Sequence, residues 1–185
     1  MKCTLAAAIS QDGFMTKGDD GSVSSWTSPE EQQFFSELRA QHTLFVFGRK
    51  TYEAVLPPFV PGVLKVVLTT NPNEFSSSQK KGLLEFHNLS AREFVKKYGD
   101  KYDTCLILGG SRVNSDFLEA GLVDEIYLTV EPITHGSGVP LLARGSLNDY
   151  DLPEPEVTTL NSQGTQLLHY VLQPHQTRRT AQQKR

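Results

Sequence analysis

Residues 104–132 read TCLILGGSRVNSDFLEAGLVDEIYLTVEP, and the fold class turns on this stretch. An apolar run at 105–108 ends on Gly109-Gly110. A helical pattern follows, with Val113, Phe117 and Leu118 on one face and Gly121 as its stop. A second apolar run covers 126–130. Strand, glycine turn, helix and strand make a βαβ unit, so the spacing predicts two parallel strands. The glycines remove side chains where the chain leaves the sheet, which lets a ligand approach the backbone. A helix that starts at Ser111 points free N–H groups at the same spot, and helix N-termini attract anions. Arg112 adds a full positive charge. Gly109, Gly110, Ser111 and Arg112 are therefore a candidate phosphate or pyrophosphate site. A plain strand-to-helix turn accounts for two glycines equally well.

Working outward, residues 44–47 form another apolar run, which ends on Gly48-Arg49-Lys50-Thr51. This second basic, glycine-bearing βα turn belongs at the same C-terminal sheet edge, where open α/β sheets bind ligands. Further upstream, Ser28-Pro29-Glu30-Glu31 is a helix start. Ser28 can cap, Pro29 suits the first helical position, and Glu31 has capping-box spacing. The helix should reach Ala40 on the stripe Phe34, Phe35 and Leu38. Residues 3–10 read as a buried first strand. Its Ala6, Ala7 and Ala8 leave room either for a ligand or for a closely packed helix. Residues 11–25 are a polar loop in which Phe14 and Met15 suggest a lid. Strands are expected at 63–69 and 83–87, and Ser90 with Glu93 forms a second capping box. A glycine loop at 135–138 follows the central unit. Residues 157–160 and 166–172 should pair as a hairpin around Ser162-Gln163-Gly164.

The chain has 185 residues, of which 38% are hydrophobic and 21% charged. That suits one soluble domain with a proper core, at 1–173. Residues 174–185 carry four basic side chains and no acidic ones, and read as a disordered tail. A formal charge of −3 makes no case for nucleic acid or membrane. Cys3 and Cys105 lack metal-ligand or disulfide spacing, which fits a reducing, cytoplasmic setting. No apolar run approaches transmembrane length. The five histidines are scattered and form no metal set.

Ala6-Ala7, the loop to Trp26, the acidic residue five places later, Gly48-Arg49-Lys50-Thr51, Gly109-Gly110 and Tyr127-Leu128-Thr129 occur in this order. The ordered set, over residues 3–172, resembles dihydrofolate reductase and the related reductase domain of riboflavin biosynthesis. Ser10-x-Asp12-Gly13, Leu38-Arg39-Ala40-Gln41, Gly121-Leu122-Val123-Asp124-Glu125 and Gly136-Ser137-Gly138 look like the riboflavin branch. The string at 48–53 looks like dihydrofolate reductase. The resemblance implies a single-domain α/β fold of the dihydrofolate reductase type. A central, mostly parallel sheet would be flanked by helices and end in an antiparallel C-terminal hairpin. It also implies NADPH as hydride donor and a pterin or aminopyrimidine substrate, dihydrofolate first and the phosphoribosylaminopyrimidine second. A non-enzymatic nucleotide-binding module is a third reading. The riboflavin-type likeness suggests a homodimer through 121–130.

The same resemblance distributes roles. Gly48, Arg49, Lys50 and Thr51 would hold the adenosine and pyrophosphate side of NADPH, with Thr69 and Thr70 near the 2′-phosphate. Leu108, Gly109, Gly110, Ser111, Arg112 and Val113 would line the pyrophosphate. Ala7, Phe14 and Met15 would flank the nicotinamide. Ala6, Ala7, Trp26 and Phe35 would contact substrate. In the dihydrofolate reductase reading, Glu31 would bind the 2-amino and ring N–H groups of a pterin and support protonation of the ring nitrogen, with Thr129 hydrogen-bonding both. A carboxylate suits this, because it accepts two parallel N–H bonds. Glu31 could instead serve only the Ser28 cap, and Glu30 is then the alternative. Dihydrofolate reductases usually carry an arginine after the Pro-Gly that matches Pro61-Gly62; here Val63 stands there, and Lys65 is the nearest cation.

Overall fold

The computed structural model describes residues 1–18 and 23–173. The tail at 174–185 and the lid residues 19–22 lie outside them. Among the described residues, eight strands form one sheet in the order β4-β3-β2-β5-β1-β6-β8-β7. The strands are β1 (Lys2–Ser10), β2 (Leu44–Gly48), β3 (Leu64–Leu68), β4 (Leu84–His87), β5 (Thr104–Ile107), β6 (Glu125–Glu131), β7 (Glu156–Thr159) and β8 (Gln166–Val171). The α-helices are α1 (Pro29–Ala40), α2 (Arg49–Val55), α3 (Ala91–Tyr98) and α4 (Ser111–Glu119). Strands β1 to β6 are mutually parallel, while β8 pairs antiparallel with β6 and β7. The mostly parallel sheet and its antiparallel C-terminal pair are the expected architecture.

The 104–132 unit forms as its pattern requires, with one refinement. β5 and β6 are parallel, but they do not touch; β1 lies between them and pairs with both. Cys3 sits opposite Cys105, and Ala8 opposite Thr129. A βαβ pattern specifies direction and handedness, not adjacency, so a strand from elsewhere can enter the gap. α4 ends where Gly121 takes φ 64°, which suits a residue without Cβ.

Alternation along the central strands divides the core into two layers. On one face, Cys3, Leu5, Leu128 and Ile126 pack with Phe94 of α3 and with Val113, Phe117 and Leu118 of α4. On the other, Ala6, Phe45, Phe47 and Leu106 pack with Leu38, Phe34 and Phe35 of α1 and with Tyr52 of α2. Ser90 and Glu93 close the expected capping box at α3. After β3 the chain winds as a 3-10 helix (Pro72–Ser78). Its Phe75 stacks on Phe86, with ring centroids 4.6 Å apart.

Candidate functional site

Ser28 caps α1 and accepts the Glu31 amide at 3.3 Å. The capping box expected from Ser28 and Glu31 is only half made. The Ser28 N–H that the Glu31 carboxylate would have bonded donates instead to Glu131 Oε1, at 2.7 Å. Glu31 is thereby released from the role that would have made it purely structural. It stays 6% exposed. Burial pushes its carboxyl up to about 7; a bond from the Thr27 side chain opposes the shift, and the charge of Glu131 adds to it. A carboxyl poised near neutrality can accept N–H bonds as a carboxylate or hold a proton as an acid.

The alternation of β6 brings Tyr127, Thr129 and Glu131 to the face that carries α1, beside Ala6, Ala8 and Ser10 of β1. Thr129 is buried, and Phe34 packs against Tyr127 with centroids 5.5 Å apart. Glu31, Thr129, Ala6 and Phe35 are thus drawn to one face of the sheet. Ala7 is not; it points to the opposite layer, with Met15. The methionine sulfur there lies 3.8 Å from Asn114 Nδ2 of α4. The alanines separate by strand parity, so Ala6 and Ala7 cannot both meet the same ligand face.

The two glycine turns meet. Gly48 N–H donates to Gly109 O at 2.7 Å. A Cβ on Gly48 would stand 3.3 Å from Val113 Cγ2, and one on Gly110 would stand 3.1 Å from Thr51 Oγ1. Gly109 takes φ 77°, and the Gly109–Gly110 peptide is cis. Leu108 and Ser111 flank this junction half-buried, and Val113 is buried. The result is a bare backbone cradle at the ends of β2 and β5, of the kind a pyrophosphate can approach. Its cations stand back. Arg49 Nη1 is paired with Glu53 at 2.6 Å along α2. Lys50 is exposed. Arg112 is 79% exposed and reaches Asp116 only at 4.0 Å. Thr69, half-buried, and Thr70, exposed, follow β3 on the same edge.

The described part of the lid is stitched to the glycine loop. Asp12 accepts the Gly136 amide at 2.7 Å and the His135 amide at 3.1 Å, and takes the Ser10 hydroxyl at 2.6 Å. These bonds, the Ser10 hydroxyl foremost, hold its carboxyl down at about 2. Met15 N–H donates to Val139 O, and Phe14 bridges Pro140. Gly138 has no room for a side chain against the Thr16 carbonyl. Trp26 packs edge-on against His135, with centroids 4.8 Å apart. Lys65 is 3% exposed, and its ammonium donates to Pro58 O at 2.7 Å. It sits in the sheet interior, so neither Val63 nor Lys65 presents a free cation where a folate tail would need one.

Sequence reading missed Glu131, Thr165 and Asn161. Glu131 is 3% exposed and also accepts the Thr165 hydroxyl at 2.6 Å. Asn161 binds Thr165 Oγ1 at 3.0 Å and Glu30 Oε2 at 3.1 Å. Glu30, the alternative to Glu31, is exposed and committed to this bond. One signal was available: a glutamate on the inward parity of a strand otherwise occupied by Tyr127 and Thr129. A surface cleft of about 330 Å³ lies elsewhere, lined by Leu147, Tyr150, Leu152, Pro153, Pro155 and Tyr170. Among the described residues, no cluster of His, Cys, Asp and Glu could hold a metal ion, and no helix is long and apolar enough to cross a membrane.

Among curated relatives, the uncharacterized protein YwjB of Bacillus subtilis is 32% identical over 148 residues, covering 76% of this chain and 82% of that protein. The structure of a putative riboflavin biosynthesis protein from Shewanella sp. PV-4 superposes with a TM-score of 0.72 at 20% identity, covering 92% of this chain and 98% of that one. Dihydrofolate reductase from Enterococcus faecalis, complexed with NADP(H) and RAB-propyl, gives a TM-score of 0.65 at 23% identity, with 92% and 95% covered. Both likenesses establish the dihydrofolate reductase-like fold. The family model of the RibD C-terminal domain matches residues 1–167, and the chain belongs to that family.

Proposed function

We propose that the protein is an NADPH-dependent reductase of the riboflavin-biosynthesis type, acting on a 5-amino-6-(5-phosphoribosylamino)uracil-like substrate. The observation that carries the reductase chemistry, common to both substrates, is the Glu31 carboxyl: buried, released from the helix cap, and poised near neutrality beside Thr129. Family membership favours this substrate over dihydrofolate. The lack of a free cation at Val63 and Lys65 points the same way, because folate needs a clamp for its carboxylate tail. Dihydrofolate is the second reading, supported by the ordered motifs and by Glu31 itself.

The fit of a nicotinamide dinucleotide rests on the side-chain-free junction of Gly48, Gly109 and Gly110, where a Cβ on Gly48 would press Val113 and one on Gly110 would press Thr51. Gly109, Gly110 and Ser111 would receive the pyrophosphate, with Thr51 beside it. Arg49, Lys50 and Arg112 would turn in from the rim, and Thr69 and Thr70 would meet the 2′-phosphate. Bound there, the cofactor would supply a hydride to the ribosyl carbon joined to the pyrimidine amino nitrogen, whose bond to the ring oxygen opens as that oxygen takes up a proton. Glu31 accepts the pyrimidine N–H edge or holds the proton that completes the reduction. Thr129 orients both through its hydroxyl. Phe14 and Met15 cover the reacting atoms and exclude water.

The test is NADPH oxidation by purified protein with the phosphoribosylaminopyrimidine and, separately, with dihydrofolate, using NADH as control donor. Saturable turnover of the pyrimidine with NADPH is expected. Turnover of dihydrofolate alone would replace the first reading by the second. NADPH binding without turnover of either would leave a nucleotide-binding module.

A further inference from the structure

Glu131 is a buried carboxylate that the proposed chemistry leaves unused. It closes β6 opposite Ser10 of β1, 3% exposed. Each of its oxygens has a short donor from a different element: the Ser28 amide at 2.7 Å from the head of α1, and the Thr165 hydroxyl at 2.6 Å from the β7–β8 turn. Thr165 is itself held, its amide donating to Asn161 Oδ1 at 3.1 Å and its hydroxyl receiving Asn161 Nδ2 at 3.0 Å. Asn161 reaches on to Glu30 at 3.1 Å. Two donors, one to each oxygen, fix the buried carboxylate in place.

We propose that Glu131 is the positioning residue of the Glu31 site. It takes the Ser28 amide that the Glu31 carboxylate would otherwise claim, and so leaves Glu31 turned toward the substrate. The deduction starts from capping chemistry. Ser-x-x-Glu is the spacing at which a glutamate folds back onto its own N-cap amide, and Ser90 with Glu93 does so in this chain. At Ser28 the identical spacing gives only half the box, because the amide is already occupied from another strand. The β7–β8 turn locks the competitor through Thr165.

The negative charge of Glu131 has a second effect: added to burial, the larger cause, it opposes ionisation of its neighbour and helps Glu31 keep a proton into the neutral range. Other charged groups nearby are engaged elsewhere. Glu30 is exposed and bonded to Asn161. Asp12 of the opposite loop binds the amides of His135 and Gly136. His135 packs against Trp26. Thr27 supplies the hydroxyl partner of Glu31.

This inference rests on the reading of Glu31 as the proton-bearing group, so its test has a readout that needs no turnover. The carboxyl carbon of Glu31 is titrated by NMR in the wild-type protein and in Glu131→Gln. That variant keeps an acceptor for Ser28 and removes only the charge, whereas Glu131→Ala frees the Ser28 amide, so that the Glu31 carboxylate can close its capping box and its midpoint should fall further. The Glu31 midpoint is expected to fall by about one pH unit. Where the enzyme turns over, the alkaline limb of kcat/KM should move by the same amount, while NADPH affinity stays unchanged. Thr165→Val, which loosens Glu131 without touching the Ser28 bond, should give a smaller shift in the same direction. An unmoved Glu31 midpoint in Glu131→Ala would overturn the proposal. So would a loss of activity that merely follows a lower melting temperature, with the pH profile unmoved. If the wild-type protein reduces neither substrate but the midpoint still shifts, the functional reading fails and the positioning role stands.

Discussion

A carboxyl at a helix N-terminus is ordinarily favoured in its charged form by the free amides of the first turn. Glu31 departs from this because burial removes its water and a second carboxylate stands beside it. Its folded value, about 7, lies above the ordinary 4.5. The folded protein therefore holds this proton more tightly than the unfolded chain does. The contribution to stability is full below pH 4.5 and is lost as pH rises through about 7, by an amount on the order of 3 kcal/mol. Glu31→Gln should flatten this dependence. Urea midpoints compared at pH 5 and pH 8 should differ less in the variant than in the wild-type protein. The same substitution should lower kcat/KM by roughly a hundredfold or more, the usual range for a lost general acid, with NADPH binding intact. Glu31 was legible as a candidate from its place after Trp26. Its release from the cap was not, since the competing Glu131 lies 103 positions from Ser28.

At the scale of elements, the two βα turns act as one structure. β2 and β5 are neighbours, so Gly48 and Gly109 meet through the bond between them. The two glycines of the second turn answer different demands. Gly109 takes φ 77°, where an alanine is strained by about 1 kcal/mol or more. Gly110 has φ −74°, which alanine adopts freely, but its added Cβ would press Thr51 Oγ1. Gly109→Ala should therefore lower the urea midpoint. Gly110→Ala should leave it within about 0.5 kcal/mol and weaken NADPH binding instead. Equal losses of stability in both variants would remove the ligand role assigned to Gly110. The periodicity located both turns correctly. It could not show that Arg49 pairs with Glu53 and Arg112 leans on Asp116, because a side chain four residues along a helix competes for the same cation.

Across the whole molecule, one sheet carries a helix layer on each face, and the proposed ligands approach its C-terminal edge from both layers. A cofactor that binds only this folded arrangement must stabilise it. At a hundred times its dissociation constant, NADPH should add about 2.7 kcal/mol and raise the melting temperature by roughly 5–10 °C. NADH at the same concentration should do less. Scanning calorimetry with each nucleotide checks this, and an unchanged melting temperature with NADPH would count against the cofactor assignment.

Local rules determined much of this protein from sequence alone. Strands, helices, the 104–132 unit, the C-terminal hairpin and the position of both glycine turns follow from periodicity, caps and turn residues. Each of these depends on neighbours within one or two turns of chain. Tertiary structure decided what separate segments do to one another. It inserted β1 between β5 and β6. It sent Ala6 and Ala7 to opposite layers. It buried Lys65 against the Pro58 carbonyl. It also carried Glu131 and Thr165 to the head of α1, where they displaced Glu31 from its cap. A hydrogen-bond donor goes to whichever acceptor the packed fold brings nearest, and that competition between distant residues has no trace in local spacing.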